Sequence, residues 1–264
     1  MSYDFLTVER DGFVAVVTLN RPDNLNALSV DLMNEICDVA DSFEYDVETR
    51  AVVFAGAGKH FSAGADLKDP KRLALNELSL NERRRYTHLG QKMVKKLLDI
   101  NQITIAAING VALGGAGVIV SALDFRVGAS DCRVGYPEID LGMNLSWFGL
   151  PLCLRLVGPS RAKRMVILGQ QEDAATLERW GFLDEVVPPD QLMDAAMNMA
   201  RAYAKKPPIP AQMIKRSANA IASGFDQALM HMDTDQFILT TMTKDFQEGI
   251  SSFMEKREPD FKGD

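Results

Sequence analysis

Two glycine-bearing stretches, residues 55–67 (AGAGKHFSAGADL) and 108–117 (INGVALGGAG), carry the residue types most suited to chemistry in this chain. Small residues let a ligand come close to the backbone. A helix beginning at Gly115 would present free N–H groups and the positive end of its dipole. Two such amides aimed at one oxygen make an oxyanion hole, in which each donor contributes about 10²–10³ in rate. Either stretch alone reads better as a tight strand-to-helix turn; the pair together points to a site. A third feature is YPEIDLG (136–142). Glu138 offers a carboxylate for proton transfer. In an extended segment Asp140 would share its face and could be a second acid, or else a cap or ion-pair partner.

Several other patterns fail. Gly58-Lys59 resembles the end of a phosphate-binding loop, but Val53 stands at the first glycine position and His60 replaces Ser or Thr. Ser62 lacks the upstream glycine of a nucleophile elbow. Gly115-Ala116-Gly117 runs on to Val120, too bulky for a dinucleotide fingerprint. His60, His88 and His231 are scattered without metal-ligand spacing, so no metal is expected.

These stretches need elements to position them. Tyr3 to Glu9 and Phe13 to Leu19 read as a hairpin around Asp11-Gly12. Ser29 can cap a helix to about Tyr45, with Met33, Ile36, Cys37, Ala40 and Phe43 at helical spacing. A strand at 51–55 precedes the first glycine loop. A charged helix spans about 82–98, a strand 103–108, and a helix starts near Gly115. Short strands are expected at 125–129 and 132–135. Alternating strands and helices imply an α/β core with parallel crossovers. Helical periodicity dominates from about Gln191 onward. The expected division is a core over 1–195 and a helical C-terminal region over 196–264.

The balance of 47% hydrophobic and 25% charged residues excludes a disordered or collagenous chain. A net charge of −7 argues against general nucleic-acid binding. Arg83, Arg84, Arg85, Lys92, Lys95 and Lys96 form a basic cluster on one expected helix, suited to the phosphates of a ligand or to solvent. The uncharged run 103–123 is long enough to cross a bilayer, but Asn109-Gly110 and three later glycines break it. The N-terminus lacks basic and apolar leader regions, and Cys37, Cys132 and Cys153 read as reduced core residues. A cytoplasmic protein is expected.

The chain resembles the crotonase, or enoyl-CoA hydratase/isomerase, superfamily. The resemblance rests on LNRPDNLNAL (19–28), FSAGADL (61–67), AAING (106–110) with Gly114-Gly115, YPEIDLG (136–142) and FMEKR (253–257). It implies a spiral of ββα units with a helical C-terminal part. It further implies acyl-CoA thioester substrates and a homotrimer or homohexamer, with no cofactor beyond the coenzyme A of the substrate. By motif match, the N–H groups of Ala65 and Gly115 are the oxyanion donors and Glu138 is an acid/base. Asn24, Leu25, Ala27, Ala63, Asp66 and Leu67 match positions along the CoA, and Gly114 precedes the donor. Trp147 resembles part of an apolar lid. Phe253, Lys256 and Lys262 are CoA contacts of equal standing with a solvated tail.

Hydratases of the family use two glutamates. The first matches Val118 here, and a further acidic position used by some relatives is Ser146. One carboxylate suffices to move a proton from C2 to C4 of a 3-enoyl-CoA, so the residues favour an isomerase-type shuttle through Glu138. A hydratase, a specialised acyl-CoA lyase or hydrolase, and a non-catalytic acyl-CoA binder are the alternatives. Retention of Glu138 speaks against the last.

Overall fold

A computed structural model describes residues 3–264. The strands are β1 (Leu6–Asp11), β2 (Val14–Leu19), β3 (Ala51–Gly56), β4 (Ile103–Ile108), β5 (Val111–Leu113), β6 (Phe125–Ala129), β7 (Arg133–Gly135), β8 (Glu172–Asp173) and β9 (Glu185–Val187). In the first two thirds of the chain the helices are α1 (Val30–Ser42), α2 (Pro70–Leu73), α3 (Leu80–Thr87), α4 (Leu89–Asp99), α5 (Gly115–Ala122), α6 (Gly149–Val157), α7 (Pro159–Ile167) and α8 (Ala174–Trp180). The helical C-terminal part contains α9 (Leu192–Ala204), α10 (Pro208–Ala222), α11 (Asp226–Met230), α12 (Asp233–Thr241) and α13 (Lys244–Glu255).

Strands β1, β2, β3, β4, β6 and β9 form one sheet in that order, and β5, β7 and β8 a second. Only β1–β2 is antiparallel in the larger sheet; Val14 pairs with Ala51, and Ala51 in turn with Ile103. The consecutive pairs β4–β5 and β6–β7 each send one strand to each sheet. That alternation winds the chain into the expected ββα spiral. Strand β3 is a continuous apolar run, and β4 one broken only by Thr104, because both of their faces are covered. Phe54, Phe61, Met93, Leu97 and Ile105 lie at the centre of the core.

Ser29 caps α1 as expected, its hydroxyl accepting from the Leu32 N–H (3.2 Å). The helix ends at Ser42, short of Tyr45. The single charged helix expected over 82–98 is two. A Ser79–Glu82 capping box starts α3, which buries no residue, whereas α4 sends Met93, Val94 and Leu97 into the core. Residue 195 lies inside α9, whose buried Ala196, Ala200 and Ala204 pack on β3, β4 and β6; the helical region therefore begins as part of the sheet's own cover. In α10 the one buried side chain is Lys215, bonded to Asp124 (2.6 Å) and to the Gln102 carbonyl (2.8 Å). Among the described residues no helix is long and apolar enough to cross a membrane.

Candidate active site

The two glycine stretches meet. The Ser62 N–H donates to the Val111 carbonyl (3.0 Å) and the Leu113 N–H to the Ser62 carbonyl (3.1 Å), which adds the first loop to β5 as a one-residue parallel bridge. Gly64 sits where they touch, at φ +89°. A Cβ there would fall 2.5 Å from the Leu113 oxygen and 3.6 Å from the Gly115 nitrogen, so only glycine fits. On the other side, Leu28 bonds the Gly64 carbonyl (2.8 Å) and the Asp66 N–H (3.1 Å). A parallel bridge of that kind turns the intervening Ala65 N–H away from Leu28. Gly115 is the first residue of α5, where N–H groups lack an intrahelical acceptor. Neither the Ala65 nor the Gly115 N–H has a hydrogen-bond partner among the described residues.

Glu138 reaches this junction from Pro137–Leu141, which is a 3-10 helix, not an extended segment. Upstream, Tyr136 is fully buried with its hydroxyl on Ser121 Oγ (2.7 Å), fixing the start of the turn. The carboxylate lies over Gly114: a Cβ on that glycine would stand 2.8 Å from Glu138 Oε1. The stem of Glu138 is half-buried, but Oε2 is buried and has no hydrogen-bond partner. Loss of hydration raises the carboxyl to about 7, with only its own backbone N–H acting in the opposite direction.

Asp140 does not share this environment. Residues i and i+2 diverge around a helix of three residues per turn. Its carboxylate instead packs against the loop at Gly169, where a Cβ would meet Oδ2 at 2.8 Å, and the residue is exposed. The face that an extended segment would have let Glu138 and Asp140 share is absent. Val118 is buried, with Cγ2 2.8 Å from where a Gly149 Cβ would lie. Trp147 wedges its indole between α4 and α5: a Cβ on Gly90 would fall 2.0 Å from Cε2, and one on Gly115 2.2 Å from Cζ3.

The segment matched to CoA forms a turn in which Leu25 (φ +53°) and Asn26 (φ +51°) are both left-handed and the Ala27 N–H bonds the Asn24 carbonyl (3.0 Å). Asn24 and Leu25 are exposed; Ala27, Ala63, Asp66 and Leu67 are half-buried beside them. The Ala63 N–H donates to the Leu25 carbonyl (3.0 Å), and Arg21 pairs with Asp66 (3.1 Å). Phe253 is exposed on the last turn of α13, while Gly249, one turn earlier, packs on the Leu141 backbone. The basic cluster is divided, with Arg84 paired to Asp235 and Lys96 to Asp41.

Sequence reasoning missed three residues here. Buried Asn26 ties the turn to the first glycine loop through the carbonyls of Ala57 (2.9 Å) and His60 (2.8 Å). Gly90 admits the Trp147 ring, and Asp233 reaches the Trp147–Phe148 backbone from the C-terminal region. Only Asn26 had a signal, as an asparagine among turn residues that tolerates the left-handed region. A cavity of about 770 Å³ between α1, α4 and α10 is lined by Lys95 and Lys96 of the basic cluster and by Phe148, but by neither Glu138 nor the two amide loops; the unpaired buried carboxylate, not cavity size, marks the site. No three His, Cys, Asp or Glu side chains among the described residues converge to hold a metal ion.

A two-sheet ββα spiral with open amides beside a desolvated carboxylate defines a class of α/β enzymes. The chain belongs to the enoyl-CoA hydratase/isomerase family, whose sequence model, described as enoyl-CoA hydratase/isomerase, matches residues 9–264. It is 35% identical over 259 residues to the short-chain-enoyl-CoA hydratase of Clostridium acetobutylicum, covering 97% of each chain. It is 33% identical to the crotonyl-CoA hydratase of Syntrophomonas wolfei, covering 99% of each. The solved carnitinyl-CoA hydratase of Mycobacterium avium superposes with a TM-score of 0.85 at 29% identity over the full length of both chains.

Proposed function

We propose that this enzyme binds an enoyl-CoA, holds the thioester oxygen on the N–H groups of Ala65 and Gly115, and moves a proton with Glu138. The buried Glu138 carboxylate, with Oε1 over Gly114 and Oε2 unpartnered, carries this reading. A carboxyl near 7 is suited both to taking and to returning a proton at neutral pH. For a 3-enoyl-CoA, Glu138 removes the C2 proton and the C–H electron pair passes into the thioester, leaving negative charge on the oxygen. The two amides stabilise that dienolate. The same proton is then returned to C4, the double bond moves to C2–C3, and the carbonyl re-forms. No water, second acid or cofactor enters the balance. Apolar Val118 and Trp147 keep water out of the site.

Asn24, Leu25, Ala27, Ala63, Asp66 and Leu67 would line the CoA, Gly114 would leave room for the carboxylate, and Phe253 would meet CoA or a neighbouring subunit. A second reading, hydration of a 2-enoyl-CoA, is favoured by the names of the relatives, which are hydratases. It asks Glu138 alone to activate water and to serve C2. Parallel turnover of a 3-enoyl-CoA and a 2-enoyl-CoA separates the two. Bond migration without uptake of water supports the first; formation of a 3-hydroxyacyl-CoA at the faster rate replaces it with the second.

The chain would assemble as a homotrimer or homohexamer. Exposed Ile209, Met213, Ile214 and Ile221 on α10 favour coverage by another subunit. Analytical ultracentrifugation at micromolar concentration should show no monomer.

A further inference from the structure

The Ser146–Gly149 turn has an unusual make-up. The Gly149 N–H bonds the Ser146 carbonyl (3.0 Å), and both central residues are left-handed, Trp147 at φ +60° and Phe148 at φ +62°. Asn and Gly are the residues that ordinarily accept this conformation, whereas large aromatic side chains resist it. Something outside the turn must hold it.

That support comes from far along the chain. Asp233, the first residue of α12, is buried, and its Oδ2 accepts from the Phe148 N–H (3.4 Å) and from Gln91 Nε2 (2.8 Å). Gln91 is oriented in turn by His88 Nδ1 (2.9 Å), which also meets Thr234 Oγ1 (3.2 Å). An ionised carboxylate is acceptor-only, so one side chain can take several N–H groups at once. The Phe148 amide points into α12 as a result, and the Trp147 indole fills the slot that Gly90 and Gly115 leave open.

We propose that Asp233 is a positioning residue: from α12 it locks the Trp147–Phe148 turn, and so keeps the Trp147 indole as the wall of the acyl site beside the Gly115 amide. The inference rests on the reading of Gly115 as an oxyanion donor. It makes docking of the C-terminal helices a condition for a formed acyl wall, and it makes the wall's position a determinant of how long an acyl chain the site accepts.

The test uses the full-length protein with Trp180→Phe, which leaves Trp147 as the one tryptophan. Asp233→Ala is expected to shift Trp147 emission to the red and to open it to acrylamide quenching. It should also lower kcat/KM for a four-carbon enoyl-CoA about tenfold, short of the roughly 10²-fold that a 1 Å misplacement can cost, with less loss for an eight-carbon one. If Asp233→Ala does not fold, Asp233→Asn, which keeps the shape and one acceptor oxygen, carries the same readouts at smaller amplitude. Unchanged emission and quenching overturn the positioning role. Altered emission with an unchanged ratio of four- to eight-carbon rates overturns the link to the acyl site. Glu138→Gln, measured alongside, reports on the proposed reaction alone: full activity there defeats that reaction while leaving the emission result to stand or fall by itself.

Discussion

The amide half and the carboxylate half of the site are built by different means. The amide half is main chain on short loops between strands and a helix start, closed by backbone-to-backbone bridges among Leu28, Ser62, Gly64, Ala65 and Ala112. The carboxylate half is a 3-10 turn and a left-handed turn, and much of its support is remote. Asn144 bonds Thr240 (3.2 Å) and Gln236 (3.2 Å), Gly142 abuts the Asp245 backbone, and Gly249 abuts Leu141. A backbone donor is present wherever the fold is; a side-chain acid with a displaced pKa depends on everything packed around it. Small changes in the C-terminal helices should therefore tune proton transfer while leaving the oxyanion donors in place.

The largest separation of the two halves comes from Glu138→Gln. Turnover should fall by about 10³, within the range for loss of a general acid–base group, while an acyl-CoA analogue still binds by calorimetry. The same variant should gain stability at high pH. Glu138 has its folded value raised from 4.5 to about 7, so the folded state holds the proton more tightly than the unfolded chain. Stability therefore declines as pH rises from about 4.5 through 7, and above that the buried charge costs up to about 3 kcal/mol. Denaturant melts should show Glu138→Gln more stable than the parent at pH 8 and equal to it at pH 4. The parent's kcat/KM should rise tenfold per pH unit on the acid side and level off near pH 7.

Gly114→Ala strikes the contact between the halves. The position is left-handed and its new Cβ would meet the Glu138 carboxylate at 2.8 Å, so the acid must move as the donor loop strains. A loss of about 10² in kcat is expected, comparable with removal of one oxyanion donor. Gly249→Ala acts on the carboxylate half alone. Its Cβ would lie 2.5 Å from the Leu141 carbonyl carbon, so α13 must lift from the Glu138 turn. About tenfold in kcat and 1–3 kcal/mol of stability are expected to be lost, the usual cost of overpacking. Equal damage to analogue binding and turnover in Gly249→Ala would contradict the division.

How much of this could be read in the sequence follows the same division. The hairpin, the Ser29 cap, the buried β3 and β4 runs and the helix start at Gly115 depend on short-range chemistry, and the amide half was legible with them. Glu138 was legible by motif, but its surroundings were not. Pro137 suits an extended chain and the first turn of a 3-10 helix alike, and the choice is made by contacts with α13. Nothing local announces that Trp147 and Phe148 adopt positive φ, since their residue types argue against it, nor that Asp233, remote in sequence, bonds the Phe148 amide. The break at His88 was hidden because α3 and α4 share a charged pattern and differ only in what each covers.

The smallest expected effect concerns Asp140, and it checks whether the 3-10 turn is correctly placed. In an extended segment its carboxylate would lie two residues along the same face as Glu138, within reach of the same substrate carbon. Around the observed turn it is exposed and directed at Gly169, and partial burial raises its carboxyl without giving it a partner. Asp140→Asn removes the charge and keeps the shape, so kcat should change by less than about twofold, a surface-substitution effect. A loss approaching that of Glu138→Gln would mean that the segment straightens when substrate binds. It would bring a second carboxylate into the chemistry and with it the means to add water.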